Sequence, residues 1–307
     1  MAGLSVQVTF LGTSAGTPTA ERGLPAVALT RGREVILFDC GEGTQMPCRR
    51  GSVRLSRLSR VCVSHLHGDH VLGLPGLLMS LQLARRTAPL AIHGPPGIDE
   101  FVRAVLRLLT ARIAYPLAIT EHVGDDGPIR GPGYRLECRA LEHRVPCLGY
   151  AYQEDPAPGT LDAAAARRLG VPDGPLMGRL KAGESVSLPG GGMVRPEDVV
   201  GAPQPGIRIA YCTDTRPCPG TAALAAGADL LIHEATFASD RADDARTKLH
   251  STAVEAAETA LRAGARRLAL THLSPRYEDP APLLAEAQAL FPNTLVAADL
   301  LSLAVGP

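Results

Sequence analysis

Four apolar runs in this 307-residue chain stop on a histidine or an aspartate. RVCVSH leads into HLHGDH, so His65, His67, Asp69 and His70 crowd into six residues. ECRALEH stops at His143, IRIAYCTD at Asp214 and RLALTH at His272. Functional side chains gather at strand ends in α/β folds, so one such ending is weak evidence. Three of them beside an H-x-H-x-D-H segment form a pattern with little room for accident. The fold must bring these four ends to one place. His65 and His67 are two apart and point to the same side of an extended chain, while Asp69 and His70 follow where the chain turns into a helix. Imidazole nitrogens and carboxylate oxygens are zinc-type ligands. One short segment cannot easily close four ligands around a single tetrahedral ion, but it can serve two neighbouring ions if more ligands arrive from elsewhere. Buried without metal, so dense a polar cluster would be costly.

Between these runs the texture alternates. LSVQVTFLG and VALTRGREVILFDCGEG read as strands with glycine-rich turns, and LAIHGPPG and ADLLIHEATF as further strands. HVLGLPGLLMSLQLARR is helical, softened by Gly73 and Pro75. IDEFVRAVLRLLT, HSTAVEAAETALRAGA and PAPLLAEAQALF are helices, and NTLVAADLLSLAV reads as the last strand. From Pro156 to Pro205 proline, glycine and alanine dominate, only LDAAAARRLG looks regular, and the stretch reads as an insertion. The chain is thus expected to form a single α/β domain over 1–307, with residues 153–205 inserted as an arm.

Lys+Arg and Asp+Glu are both 31, so net charge argues neither for nor against nucleic acid. The start, MAGLSVQVTFLG, has no basic n-region or apolar h-region, and no apolar stretch is long enough for a bilayer. Seven cysteines without a C-x-x-C pair point to free thiols in a reducing cytoplasm. His93, His122 and Asp39 also lie at or near strand ends. The two histidines are left out of the metal set, and Asp39 is read as part of a structural turn. His233 is read as structural.

H-x-H-x-D-H followed by distant His, Asp and His resembles the metallo-β-lactamase superfamily. TFLGTSAGTPTAERG, DCGEGTQ, HGDHVLGLPGLL, YCTDTRP, HEATF, HSTAVEAA and LTHLSPRY together resemble ribonuclease Z, the tRNA 3′-processing endonuclease, over nearly the whole chain. GPLMGRLKAGESV resembles the protruding arm of the short bacterial form. The resemblance implies an αββα sandwich with a two-zinc site at one edge. His65, His67 and His143 match the ligands of one zinc, Asp69, His70 and His272 those of the other, and Asp214 the bridge. Two metals about 3.5–4 Å apart make a nucleophile from water and cover charge on phosphate. The resemblance makes Asp69 a proton acceptor as well as a ligand. It makes His250 a helper at the scissile phosphate or leaving 3′ oxygen, with Glu234 as its partner. From the residues alone, His250 could equally be a neighbour of the cap of the helix it opens.

Cleavage of precursor tRNA would leave a tRNA 3′-hydroxyl and a trailer 5′-phosphate. The resemblance also implies a homodimer whose arms reach the tRNA, and contacts there would fall to Arg179 and Lys181, with Gly174 and Pro175 shaping the turn. Residues 48–60, with five arginines and no acid, are either a phosphate-contacting patch or a solvated helix face. In PTAERG, Ala20 and Gly23 stand where many bacterial relatives carry Lys and Asn. That loop is tied in the family to sensing the tRNA 3′ end, so the resemblance leaves open whether mature CCA ends are rejected here. Two other functions compete. One is a small-molecule phosphodiesterase or thioester hydrolase of the same superfamily, which the full motif set and the arm disfavour. The other is a non-catalytic, metal-stabilised RNA binder, which the presence of Asp69, Asp214 and His250 disfavours.

Overall fold

The computed structural model describes residues 6–306, which divide into two compact units, one of residues 154–206 and one of residues 6–153 with 207–306. The larger unit starts with β1 (Val6–Gly12), β2 (Ala26–Arg31), β3 (Glu34–Phe38), β4 (Leu58–Cys62), β5 (Leu90–Gly94) and β6 (Leu117–Glu121). Between them lie α1 (Gln45–Arg50), α2 (Gly68–Val71), α3 (Gly73–Leu83) and α4 (Ile98–Leu108). β7 (Ile129–Gly131), β8 (Tyr134–Leu141) and β9 (Cys147–Glu154) follow.

The smaller unit holds α5 (Ala163–Arg168), α6 (Pro175–Lys181) and a short hairpin of β10 (Val186–Ser187) and β11 (Met193–Val194). It has its own core of Ala166, Val171, Leu180, Val186, Val194 and Val199. One regular segment was expected here. A second helix and a hairpin are present as well; Pro175 sits in the first turn of α6, where its missing N–H costs nothing.

The chain then returns with β12 (Arg208–Cys212), α7 (Pro219–Ala225), β13 (Leu230–Glu234), α8 (Ala242–Lys248), α9 (Ala253–Ala263), β14 (Leu268–Thr271), α10 (Ala281–Leu290), β15 (Thr294–Val296) and β16 (Ser302–Val305). One sheet runs β16-β1-β2-β3-β4-β5-β6, the other β15-β14-β13-β12-β9-β8-β7. β3 to β6 are mutually parallel, as are β12 to β15. The carboxyl ends of β4, β12 and β14, which carry the polar residues, therefore open in register with their neighbours. Val8, Phe10, Ile36, Phe38, Tyr150, Tyr211 and Ile232 fill the space between the sheets. Leu74, Leu77, Leu78, Ile98 and Val102 of α3 and α4 cover the outer face of the first sheet. A seam of Ala253, Ala256, Ala257 and Ala260 seats α9 closely on the second. These layers make the expected αββα sandwich.

NTLVAADLLSLAV is not one strand. Thr294–Val296 pairs with β14 in the second sheet and Ser302–Val305 with β1 in the first, so the chain changes sheet between them. CLGYAYQE forms β9, a strand the sequence did not announce.

Candidate metal centre and the residues around it

Each strand end is built to turn its last side chain inward. Asp39 and His272 directly follow β3 and β14, and Asp214 lies two residues beyond β12, with φ of 56°, 55° and 49°. This left-handed backbone is uncommon outside glycine, but Asp and His adopt it more readily than most residues. His67 caps α2 from an extended backbone, and Asp69 and His70 occupy the short helix that follows. Gly41 and Gly73 allow the flanking loops to close here: a Cβ on Gly41 would lie 2.5 Å from the Asp69 carbonyl oxygen, and one on Gly73 1.9 Å from that of Gly41.

The inward atoms fall into two groups that share Asp214. His65 Nε2 and His143 Nε2 lie 3.0 and 3.3 Å from His67 Nδ1, and 3.6 and 3.9 Å from Asp214 Oδ2. On the other side, His70 Nε2 and His272 Nε2 lie 3.3 Å apart, at 3.3 and 3.1 Å from Asp214 Oδ1. Asp69 Oδ2 stands 3.4 and 3.5 Å from the same two nitrogens. Ligands about 2.0–2.1 Å from a tetrahedral ion sit roughly 3.3 Å from one another, which is the spacing found.

The outward nitrogens fix the tautomers. His70 Nδ1–H donates to Asp39 Oδ2 (2.8 Å), and His143 Nδ1–H to the carbonyl of Leu249 (3.1 Å). Ser64 Oγ gives its proton to Asp39, so it accepts from His65 Nδ1–H at 2.9 Å. Thr236 Oγ1 donates to Glu234 Oε2 at 2.6 Å and accepts from His272 Nδ1–H at 2.9 Å. The Nε2 atoms of four histidines are thereby left as lone pairs, aimed at one another and at two carboxylates. Such an arrangement in a largely buried pocket repels itself unless a cation sits inside it. The donor set thus fits two metal ions, one among His65, His67, His143 and Asp214, the other among Asp69, His70, His272 and Asp214.

His250 stands beside this centre. Its ring centroid is 5.1 Å from that of His143 and 5.6 Å from that of His272, and it also comes within ligand reach of Asp214 and His272. Its Nδ1 donates to Glu234 Oε1 at 2.9 Å. Burial works against the imidazolium, but the fully buried Glu234 overrides it and raises the His250 pKa to about 9. The cap of α9 is Thr252, whose hydroxyl accepts from Glu255 N while Glu255 accepts from Thr252 N. The nitrogens of His250 are therefore not used in capping. Burial favours a protonated Asp69, yet hydrogen bonds from His272 and His70 hold its carboxyl well below the usual range.

Asp39 is more than a turn residue. It is fully buried and accepts from Ser64 N (2.6 Å), Ser64 Oγ (2.8 Å), His70 Nδ1 and Tyr211 Oη (2.7 Å). Thr236 was likewise unforeseen. The signal for Asp39 lay in view, since it ends an apolar strand just as Asp214 does. His93 and His122 pair with each other, Nδ1 to Nε2 at 3.1 Å, outside either ligand group. His233 is buried, with Nδ1 donating to the carbonyl of Glu234. In the smaller unit, Arg179 is paired with Glu184 at 2.8 Å, Lys181 is exposed at the end of α6, and Gly174 (φ 133°) and Pro175 open that helix. In the larger unit, Ala20 is exposed, and Gly23 N donates to Asp299 Oδ2.

Residues 25–162 match the metallo-β-lactamase superfamily model and residues 196–273 a β-lactamase superfamily domain. Ribonuclease Z of Prochlorococcus marinus (strain MIT 9303) is 48% identical over 98% of both chains. Ribonuclease Z of Synechococcus sp. (strain CC9605) is 46% identical over 98% of both. Among solved structures, the short form of human tRNase Z superposes with a TM-score of 0.72 at 27% identity, over 98% of this chain and 100% of that one. With relatives 46–48% identical over 98% of its length, the chain belongs to the ribonuclease Z family of the metallo-β-lactamase superfamily.

Proposed function

We propose that the protein is a zinc-dependent endoribonuclease that cuts the 3′ trailer from precursor tRNA, leaving a tRNA 3′-hydroxyl and a trailer 5′-phosphate. The observation that carries this is the Glu234–His250 pair standing beside a convergent seven-residue metal-binding set. Two zinc ions per chain would be held by that set, with Asp214 common to both groups of residues. Bound zinc lowers the pKa of water and offsets negative charge on phosphate oxygens.

The remaining work belongs to the chain. Asp69, held ionised, receives the proton released from the attacking water. Asp39, Ser64, Thr236 and the Leu249 carbonyl fix the rings of four ligands before substrate arrives, so little reorganisation is needed. Glu234 holds His250 in the tautomer that presents Nε2 outward and favours its protonated form. His250 then delivers a proton to the departing 3′ oxygen. The smaller unit is assigned as the tRNA-binding arm, with Arg179, Lys181 and the Gly174–Pro175 turn at the contact. The working assembly is a homodimer in the cytoplasm. No helix among the described residues is long and apolar enough to cross a membrane.

Incubating the purified protein with an end-labelled precursor tRNA, with and without chelator, tests this. Chelator-sensitive cleavage at the trailer junction is the expected result. Hydrolysis of small phosphodiesters or thioesters with the precursor left intact would instead select the small-molecule reading.

A further inference from the structure

Between Gly43 and Ile98 the chain carries seven arginines and one carboxylate, and that carboxylate is the metal ligand Asp69. The whole chain is neutral, so this is a concentration of positive charge rather than a bias of composition. α1 begins four residues beyond Gly41, which packs on Asp69, and α3 begins three residues beyond His70. Both helices therefore lead away from the metal centre. Between them lies a groove of about 470 Å³, lined by Gln45, Arg49, Ser56, Ser80, Arg85 and Arg86 among others. At 1.5 Å per residue, α3 carries this groove to about 17 Å from the start of that helix.

Of these seven arginines only Arg60 is in an ion pair among the described residues, with Glu34 at 2.9 Å. Arg49, Arg54 and Arg85 are exposed and have no ion pair among the described residues. Arg86 donates to the carbonyls of Ala88, Leu58 and Pro89, which satisfies hydrogen bonds but leaves its charge unopposed. Favourable placement at a helix C-terminus explains Arg49 and Arg50 at the end of α1. It does not explain a span of more than fifty residues in which the sole acid is a metal ligand. Leu55, half-buried, adds an apolar wall to the groove.

We infer that the α1–α3 groove is the path of the RNA trailer, holding phosphates downstream of the cleaved bond as a single strand. This rests on the precursor-tRNA reading above. The direction follows from the site. His250, which protonates the departing 3′ oxygen, is fixed between α8 and α9 against the second sheet, so the tRNA body lies on that side. The phosphate stays with the trailer, and the face beside Asp69, from which α1 and α3 leave, belongs to the other side of the centre. A charged groove with apolar walls suits single-stranded nucleic acid of any sequence.

The test compares two precursors that differ only in trailer length, about 2 against about 15 nucleotides, in wild type, in Arg49→Gln/Arg85→Gln, and in Arg33→Gln. Arg33 is exposed in the turn at the opposite end of β3 and is the control. Wild type should favour the long trailer in kcat/KM. The double variant should reduce that preference about fivefold or more. It should also flatten the salt dependence of long-trailer binding by roughly 1.4 in log–log slope, about 0.7 for each phosphate no longer neutralised. Arg33→Gln should keep the wild-type ratio. A wild type indifferent to trailer length would overturn the inference, and so would a double variant with an unchanged ratio. Equal slowing of both substrates would assign these arginines to the tRNA body and also overturn it. A wild type that cuts neither precursor would bring down the precursor-tRNA reading itself, and the trailer path with it.

Discussion

Asp214 faces the two halves of the centre with different oxygens, Oδ2 toward His65 and His143, Oδ1 toward His70 and His272. Asp214→Ala should therefore lower metal content on both sides, and elemental analysis should find well under one ion per chain. Retention of one full ion would mean that the bridge is misassigned. His250 tests a different property, because its Nδ1 is committed to Glu234. His250→Ala should keep both ions and lose about 10²–10⁴-fold in cleavage, the usual worth of a general acid. A variant that loses metal instead would place His250 among the ligands. Asp39→Asn keeps the shape but weakens the acceptor that orients His70. Metal affinity should fall about 10- to 100-fold, measured by competition with a chromogenic chelator; an unchanged affinity would return Asp39 to the role of turn residue. The proposed ligands were legible in the sequence because His65, His143, Asp214 and His272 each end an apolar run and the other three crowd in directly after His65. Asp39 ends an apolar strand as Asp214 does and was read as a turn residue, while Thr236 gave no signal, because a residue that orients a ligand carries no spacing of its own and declares itself only through the atoms it touches.

At the scale of elements, what is legible follows from how each segment is buried. β12, β13 and β14 are buried at every position but Arg208 and read as mainly apolar runs. β9 is buried along most of its length too, but Gly149 interrupts the run, Gln153 and Glu154 end it on polar groups, and CLGYAYQE did not stand out. The tail misread as one strand shows the opposite limit. Its apolar positions are continuous, and only hydrogen-bond pairing reveals that β15 and β16 belong to different sheets. α9 was plain because its cap was written in the sequence, Thr252 with Glu255 three residues on. That cap also anchors the segment carrying His250, since Ala253 N donates to the carbonyl of Phe237 and Ser251 Oγ to that of Thr215. Thr252→Ala should cost about 1 kcal/mol, the usual worth of a helix cap, read as a lower urea midpoint. Cleavage should fall by less than in His250→Ala, because the neighbouring anchors remain. A loss as large as that of His250→Ala would make the cap itself part of the catalytic positioning.

On the proposed reading the two units separate chemistry from recognition, and this separation can be cut. All seven proposed ligands, with Glu234 and His250, belong to the larger unit, while residues 154–206 close on a core of their own. Low-complexity texture made this insertion look like a loop, because six small apolar side chains scattered over some thirty residues show no period. Removing only Gly159–Gly192 would strand Val194 and Val199 without the partners they pack on, so the clean excision takes the unit whole. The ends are ready for it. A Cβ on Gly206 would stand 2.3 Å from the carbonyl oxygen of Glu154, and Ala157 and Gln204 exchange backbone hydrogen bonds of 3.0 and 2.9 Å. Replacing Asp155–Pro205 with two or three Gly/Ser residues should therefore leave a folded protein with two metal ions. Small phosphodiesters need only the metal centre and should still be hydrolysed, with bis(p-nitrophenyl) phosphate as the probe. A precursor tRNA is positioned by binding far from the reacting phosphate, and that binding energy is what the excision removes. Cleavage of precursor tRNA should collapse mainly through KM while the small substrate turns over within a few-fold of wild type. Unchanged precursor cleavage by the folded, metal-loaded variant would refute the arm assignment. Loss of both activities with metal retained would make the insertion part of the active site, and recognition and chemistry would then share residues that the sequence keeps apart.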